Sequence, residues 1–204
     1  VVDKFSDVLV VESLSLGTDR FKMLIVNALQ ELMKQDGIEI RGVYERSDAK
    51  VRELEGMEQM TGLLRGTVPD IVEMRENGIR FGVDVKNGQK TGFFLDQKEN
   101  RAAMAPFVKG KRVLDCFSHT GPFALHAAKY GADEVVGVDI SEYACRCAAQ
   151  NAALNGFKNV DFVTANAFDY LKEKSMTDEK FDVVILDPPA FTKTRQAVDG
   201  AARG

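Results

Sequence analysis

The chain has 204 residues, 45% of them apolar and 28% charged, with 27 Lys and Arg against 31 Asp and Glu for a net charge of −4. This balance excludes an intrinsically disordered chain, a collagen-like repeat and a charge-driven tail, and it suits one large domain or two small ones. No stretch approaches the roughly 20 apolar residues of a membrane helix. No leader peptide is expected, and three cysteines (Cys116, Cys145 and Cys147) suggest a reducing, cytoplasmic compartment rather than a disulfide framework.

The first half reads as α+β. Val8–Val11 is a short apolar run of strand length. Gly17-Thr18-Asp19 then supplies a turn and helix-capping side chains, Phe21, Leu24, Ile25, Ala28, Leu29 and Leu32 follow at helical spacing, and Asp36-Gly37 ends that helix. Asn77-Gly78 and Asn87-Gly88 are hairpin signals, so Ile71–Met74, Ile79–Val85 and Gln89–Leu95 are expected to form an antiparallel meander. Charge is uneven along the chain. Lys86, Lys90, Lys98, Arg101, Lys109, Lys111 and Arg112 face only Asp96 and Glu99 across residues 86–112, a net of +5 between two acidic flanks. Such a segment reads either as a solvated face or as a nucleic-acid groove, because phosphate contacts depend on local charge.

The second half alternates strand and helix. Arg112–Leu114, Val135–Val138, Val160–Val163 and Phe181–Leu186 read as strands, separated by helices over Pro122–Tyr130, Glu142–Leu154 and Phe168–Glu173. Apolar strands alternating with helices argue a parallel, doubly wound α/β sheet. The division expected is an α+β domain over 1–85 and a Rossmann-like domain over 86–204. Val1 falls inside a strand pattern and the chain stops soon after a motif that sits mid-sheet, so a piece of a longer protein is expected.

In such sheets, ligands bind outside the carboxyl ends of the strands. Asp115-Cys116-Phe117-Ser118-His119-Thr120-Gly121 follows the first of these strands, with Pro122 placed for a first helical turn. It lacks the Gly-Lys-Ser/Thr end of a phosphate loop and suits a ligand with a positive group better than a pyrophosphate. Asp139 ends the second strand, 24 residues beyond Asp115, where an acidic side chain accepts ribose hydroxyls. The two loops together point to a nucleoside cofactor. Asn166-Ala167 follows the third strand and reads equally as a reader of an adenine edge or as a helix cap. Asp187-Pro188-Pro189-Ala190-Phe191 follows the fourth, where two prolines fix a rigid bend and leave carbonyls and a carboxylate to meet a base edge. No CxxC or His/Cys grouping supports a metal, and the three cysteines read as small hydrophobes. His119 is placed to touch a cofactor, whereas His126 belongs to a helix face.

Gly42-Val43-Tyr44-Glu45-Arg46-Ser47-Asp48, Gln89 through Arg101 (QKTGFFLDQKENR), Asp115–Gly121 and Asp187–Phe191 occur in this order. The chain thereby resembles the RlmI-like class I S-adenosylmethionine-dependent 23S rRNA methyltransferases, which make 5-methylcytosine. The resemblance runs over essentially the whole chain and is most specific in Gln89–Arg101. It implies an RNA-binding PUA domain before Val1, a middle α+β domain, and a Rossmann-like methyltransferase sheet cut after strand four. Phe94, Asp96, Gln97 and Arg101 would then pack around the methionine end and the nucleoside. Asp115 with Phe117, Ser118, Thr120 and Gly121 would hold the aminoacyl part. Asp139, with Ile140 and Ser141, would take the ribose, and Asn166 with Ala167 the adenine. Asp187, Pro188, Pro189 and Phe191 would face the target base. Pro122 departs from the family, which tends to have a second Gly there.

The resemblance further implies S-adenosylmethionine as cofactor and 23S rRNA or a large-subunit precursor as partner; no membrane partner is expected, and a homodimer is one candidate assembly. Cytosine C5 needs a Cys thiolate added at C6, and the family places that Cys in a segment beyond residue 204. Two other readings stay open: methylation of a base nitrogen, of the 7-methylguanine type, and a cofactor- or RNA-binding fragment without turnover.

Overall fold

The computed structural model describes residues 1–189 and opens on a hairpin, β1 (Val2–Phe5) and β2 (Val8–Val11), turned through Ser6 at φ 53°. All of β2 is buried, as its unbroken apolar run demands. Helix α1 (Leu16–Gln35) carries the chain to β3 (Gly42–Ser47), which pairs parallel to β2, and β4 (Met60–Gly66) pairs antiparallel to β3. The strand order is β1-β2-β3-β4.

Helix α1 starts earlier than Gly17-Thr18-Asp19 suggests. Ser15 is its N-cap, accepting from the Thr18 N–H, and Asp19 sits in the first turn, where the helix dipole favours an anion. The face turned to the sheet runs through Lys22, Val26, Leu29 and Met33. Val26 packs with Leu9, Val11 and Val43, while Phe21, Leu24, Ile25 and Leu32 of the expected apolar stripe stay exposed. Ion pairs set this rotation: Lys22 reaches the buried Glu45 of β3 at 2.6 Å, and buried Arg52 reaches Asp19 at 2.9 Å.

β5 (Val72–Glu76) and β6 (Ile79–Val83) form a hairpin around Asn77-Gly78, both with positive φ, as expected. The expected third strand over Gln89–Leu95 does not form. Asp84 accepts hydrogen bonds from the N–H groups of Lys86 (3.0 Å) and Asn87 (2.8 Å) through its side chain, and from Gly88 through its carbonyl. Asn87-Gly88 therefore closes a turn on Asp84 instead of joining two strands. A single 3₁₀ turn over Leu95–Gln97 then leads into α2 (Lys98–Ala103).

The first compact unit runs from Val1 to Lys98, and the second begins at Glu99. The first unit thus runs past residue 85: Thr91 donates to the Asp3 carboxylate at 2.6 Å, tying segment 86–98 to it.

The second unit is built on β7 (Arg112–Cys116), β8 (Glu134–Asp139), β9 (Val160–Thr164) and β10 (Val183–Leu186), all parallel, in the order β10-β7-β8-β9. After the short α3 (Ala105–Val108), helices α4 (Pro122–Lys129), α5 (Glu142–Leu154) and α6 (Ala167–Ser175) make the crossovers. This is the expected α/β architecture. Among the described residues, no helix is long and apolar enough to cross a membrane.

Candidate active site

Four parallel strands deliver their carboxyl ends to one edge of the second sheet. That edge gathers Asp115, Asp139, Asn166 and Asp187, each within two residues of the end of its strand. The order β10-β7-β8-β9 sets Asp187 beside the Asp115 loop and Asp139 on its other side.

The loop after β7 is the most constrained part. Phe117 and His119 both hold left-handed backbone, at φ 63° and 52°. Non-glycine residues rarely do so, and the surroundings must over-determine them. The constraints are visible: Ser118 N–H donates to the Val138 carbonyl at 2.9 Å, and His119 N–H to the Asp139 carboxylate at 2.8 Å. Gly121, at φ 84°, leads into Pro122 at the head of α4. A Cβ on Gly121 would stand 2.8 Å from the Phe162 ring, and one on Gly137 of β8 would stand 2.5 Å from the same ring, so glycine is required at both. Ser118 Oγ is buried beside Gly137 and meets no described partner in good hydrogen-bonding geometry.

Asp115 is buried and accepts from the Ala124 N–H of α4 at 3.0 Å. Burial pushes its carboxyl up to about 7, against the pull of the nearby Ser118 hydroxyl and of that N–H, and the charges of Asp187 and Asp139 push the same way as burial. Asp139 is half-buried and held differently: Oδ2 accepts from His119 N–H, and Oδ1 from Ser141 N–H at 2.9 Å. Burial lowers the His119 imidazole, with the Asp139 charge opposing. Next to Asp139, Ile140 is 73% exposed, and Phe168 across the edge is 41% exposed. Phe168 meets Phe117 edge to face at 5.8 Å. The site thus offers an acceptor pair for a diol, a carboxylate and a buried hydroxyl on one loop, and apolar side chains for a flat ring.

Other expected site residues fall as follows. Asn166 caps α6, its Oδ1 accepting from Phe168 N–H at 2.9 Å, and Ala167 is buried in the core with Leu114, Cys116 and Val138. Thr120 Oγ1 lies 3.3 Å from His119 Nδ1. Asp187, Pro188 and Pro189 are exposed after β10, and Phe191 lies outside the described residues. Arg101 is buried with its guanidinium 5.8 Å from the Phe123 ring. Phe94, Asp96 and Gln97 belong to the first unit, where Lys90 Nζ sits 4.5 Å over the Phe94 ring.

One positioning residue is invisible to sequence reasoning. Asn151, buried on α5, donates to the Thr120 carbonyl at 3.1 Å and so fixes the β7 loop from behind. Its only signal is a polar residue on an alanine-rich helix face. Two of the three cysteines are packed into the fold. Cys116 is fully buried and burial pushes its thiol up to about 11. Cys145 points its Sγ at the carbonyls of Asp139 and Val163, at 3.7 and 3.6 Å.

Known proteins resemble this chain in both sequence and fold. The chain is 44% identical over 206 residues to Ribosomal RNA large subunit methyltransferase I of Aeromonas salmonicida (strain A449), with all of this chain and 51% of that protein covered. The chain spans about half the length of the curated relatives it matches. A protein from Streptococcus mutans, assigned as a SAM-dependent methyltransferase, superposes with a TM-score of 0.78 at 26% identity, over 93% of this chain and 48% of its own. SMU.776, assigned as a methyltransferase and solved in complex with SAH, gives 0.79 at 26% identity, over 96% and 49%. Residues 53–202 match the family described as S-adenosylmethionine-dependent methyltransferase. With its parallel sheet and its three acidic strand ends, the chain belongs to that S-adenosylmethionine-dependent methyltransferase family.

Proposed function

We propose that the protein carrying this chain methylates large-subunit ribosomal RNA, forming 5-methylcytosine in 23S rRNA. The observation that carries the reading is the placement of Asp115, Asp139 and Asp187 on three neighbouring parallel strand ends, together with 44% identity to a protein named for large-subunit rRNA methylation. A cytoplasmic location follows from such a substrate.

The residues fit S-adenosylmethionine, which supplies an electrophilic methyl group on a sulfonium. Each Asp139 oxygen accepts one backbone N–H and keeps a lone pair for a ribose hydroxyl. Ile140 and Phe168 offer apolar surface to an adenine ring, beside Asn166 and Ser141. Asp115 and the Phe117–Gly121 loop, with its buried Ser118 hydroxyl, suit an ammonium and carboxylate. Asp187, Pro188 and Pro189 present acceptors toward the target base.

Attack through cytosine C5 requires a thiolate at C6. Cys116 is shut in the core with a raised pKa, Cys145 is packed against two carbonyls, and Cys147 lies within α5 rather than at a strand end. The nucleophile is expected outside residues 1–204. In the full-length protein, that Cys is replaced by Ala and the methyl group is mapped on the RNA by mass spectrometry. Loss of a C5-methyl label on cytosine is the expected result. Undiminished methylation, or a label on guanine or adenine, would instead assign direct nitrogen methylation to the Asp187–Pro189 loop.

A further inference from the structure

Within the first unit, a cleft of about 510 Å³ opens between β1, β5 and the head of α2. Three cations stand around it on separate elements: Lys4, Arg75 and Lys98. All three are exposed, and among the described residues none of their side chains makes a hydrogen bond or an ion pair. Elsewhere in the same unit, Lys22, Arg41, Arg46, Arg52, Arg80 and Lys86 each hold a carboxylate.

This clustering costs the hairpin something. Arg75 stands directly opposite Arg80 in the β5–β6 register, a like-charge pair that disfavours the hairpin. The acids at the cleft offset its charge only in part: Glu73 is taken by Arg80 through both oxygens, at 2.8 and 2.6 Å, with Arg75 adding a weaker pull on the same carboxyl. The apolar wall is withdrawn too, with Met74 buried and Leu95 half-buried, so no anchor for a membrane or a peptide projects here.

We infer that this cleft holds the phosphodiester backbone of the RNA substrate, with Lys4, Arg75 and Lys98 as phosphate contacts and the exposed Ser6 hydroxyl as an added donor. The inference rests on the RNA-methylating reading above and extends the substrate path to the first unit. Cations without intramolecular partners lose no ion pair when a phosphate arrives, and they release condensed counterions from the RNA.

The test uses the full-length protein, a fluorescent transcript of large-subunit rRNA, and anisotropy titrations over a salt series. For Lys4→Gln/Arg75→Gln, affinity should fall on the order of tenfold, and the slope of log Kd against log salt should become shallower by roughly 1.4–1.8, about 0.7–0.9 for each phosphate no longer neutralised. The charge-conserving Lys4→Arg/Arg75→Lys should keep the parent slope. An unchanged slope in the Gln variant overturns the cleft even if the protein methylates RNA normally. Parallel loss of S-adenosylmethionine affinity, read by calorimetry, would assign the effect to the fold and overturn it as well. A parent protein that binds the transcript with the full slope but methylates nothing sinks the functional reading and leaves the cleft standing.

Discussion

The carboxylates at the strand ends of the second unit are held differently from the ion-paired ones of the first. In the first, Asp7, Asp19, Glu45, Asp48 and Glu73 are all taken up by lysine or arginine side chains. In the second, backbone N–H groups hold Asp115 and Asp139: Ala124 for the one, His119 and Ser141 for the other. A carboxylate bridged to arginine has its lone pairs filled and its charge cancelled, and it serves architecture. One held by amides keeps acceptor capacity for a ligand. Acidic residues of the same type therefore serve architecture in the ion-paired set and stand poised for chemistry at the strand ends of β7 and β8.

The largest expected effect tests the architectural side. Arg52 is almost fully buried and donates to the Glu58 and Ser13 carbonyls as well as to Asp19. Arg52→Met should destabilise the first unit by about 3 kcal/mol, at the low end for a broken buried pair because Asp19 is partly exposed. Urea unfolding followed by circular dichroism measures it, and a loss well under 1 kcal/mol would mean that the pairs are ornamental. Next comes the ligand side. Asp139→Ala should weaken S-adenosylmethionine binding at least tenfold, since a hydrogen bond to a charged acceptor contributes roughly 1.5–3 kcal/mol. An unaltered calorimetric dissociation constant would remove Asp139 from the cofactor site.

A third effect, read as a slope against pH, belongs to Asp115. Its folded-state carboxyl is raised from 3.8 to about 7, mainly by burial. Between those values the folded chain keeps a proton that the unfolded chain releases. Stability is then complete below the lower value and falls as pH rises toward the upper one, by at most about 1.4 kcal/mol per unit. Asp115→Asn should flatten that dependence in thermal melts taken across the range. A slope that survives the substitution would place the buried proton elsewhere.

Much of the second unit is legible in the sequence because parallel strands covered on both faces must be continuous apolar runs. The polar residues that interrupt such runs at Asp115, Asp139, Asn166 and Asp187 stand out for that reason. Helix α5 falls on Glu142–Leu154 as its pattern indicates, and Asn166 takes the capping role that its position allows. The first unit is harder. β4 reads MTGLLRG, with two glycines and mostly exposed side chains, and carries no alternation to announce a strand. Gln89–Leu95 looks like a strand, yet a single Asp84 side chain upstream captures the backbone amides and turns the chain. Arg52 reads as a solvated charge and is instead among the largest fully buried side chains, because its partners come from Ser13, Asp19 and Glu58 on other segments. Long-range pairing of this kind leaves no local mark.

The double grip of Asp139 on His119 and Ser141 also turns two backbone amides into internal clocks. Both protons are hydrogen-bonded to one carboxylate before any ligand arrives, so their exchange with deuterium should already be slow in the free protein. A ribose that joins the same oxygens should slow both amides together, and by the same opening event. Nuclear magnetic resonance at those two positions would then time the opening of the site itself, apart from any methyl transfer.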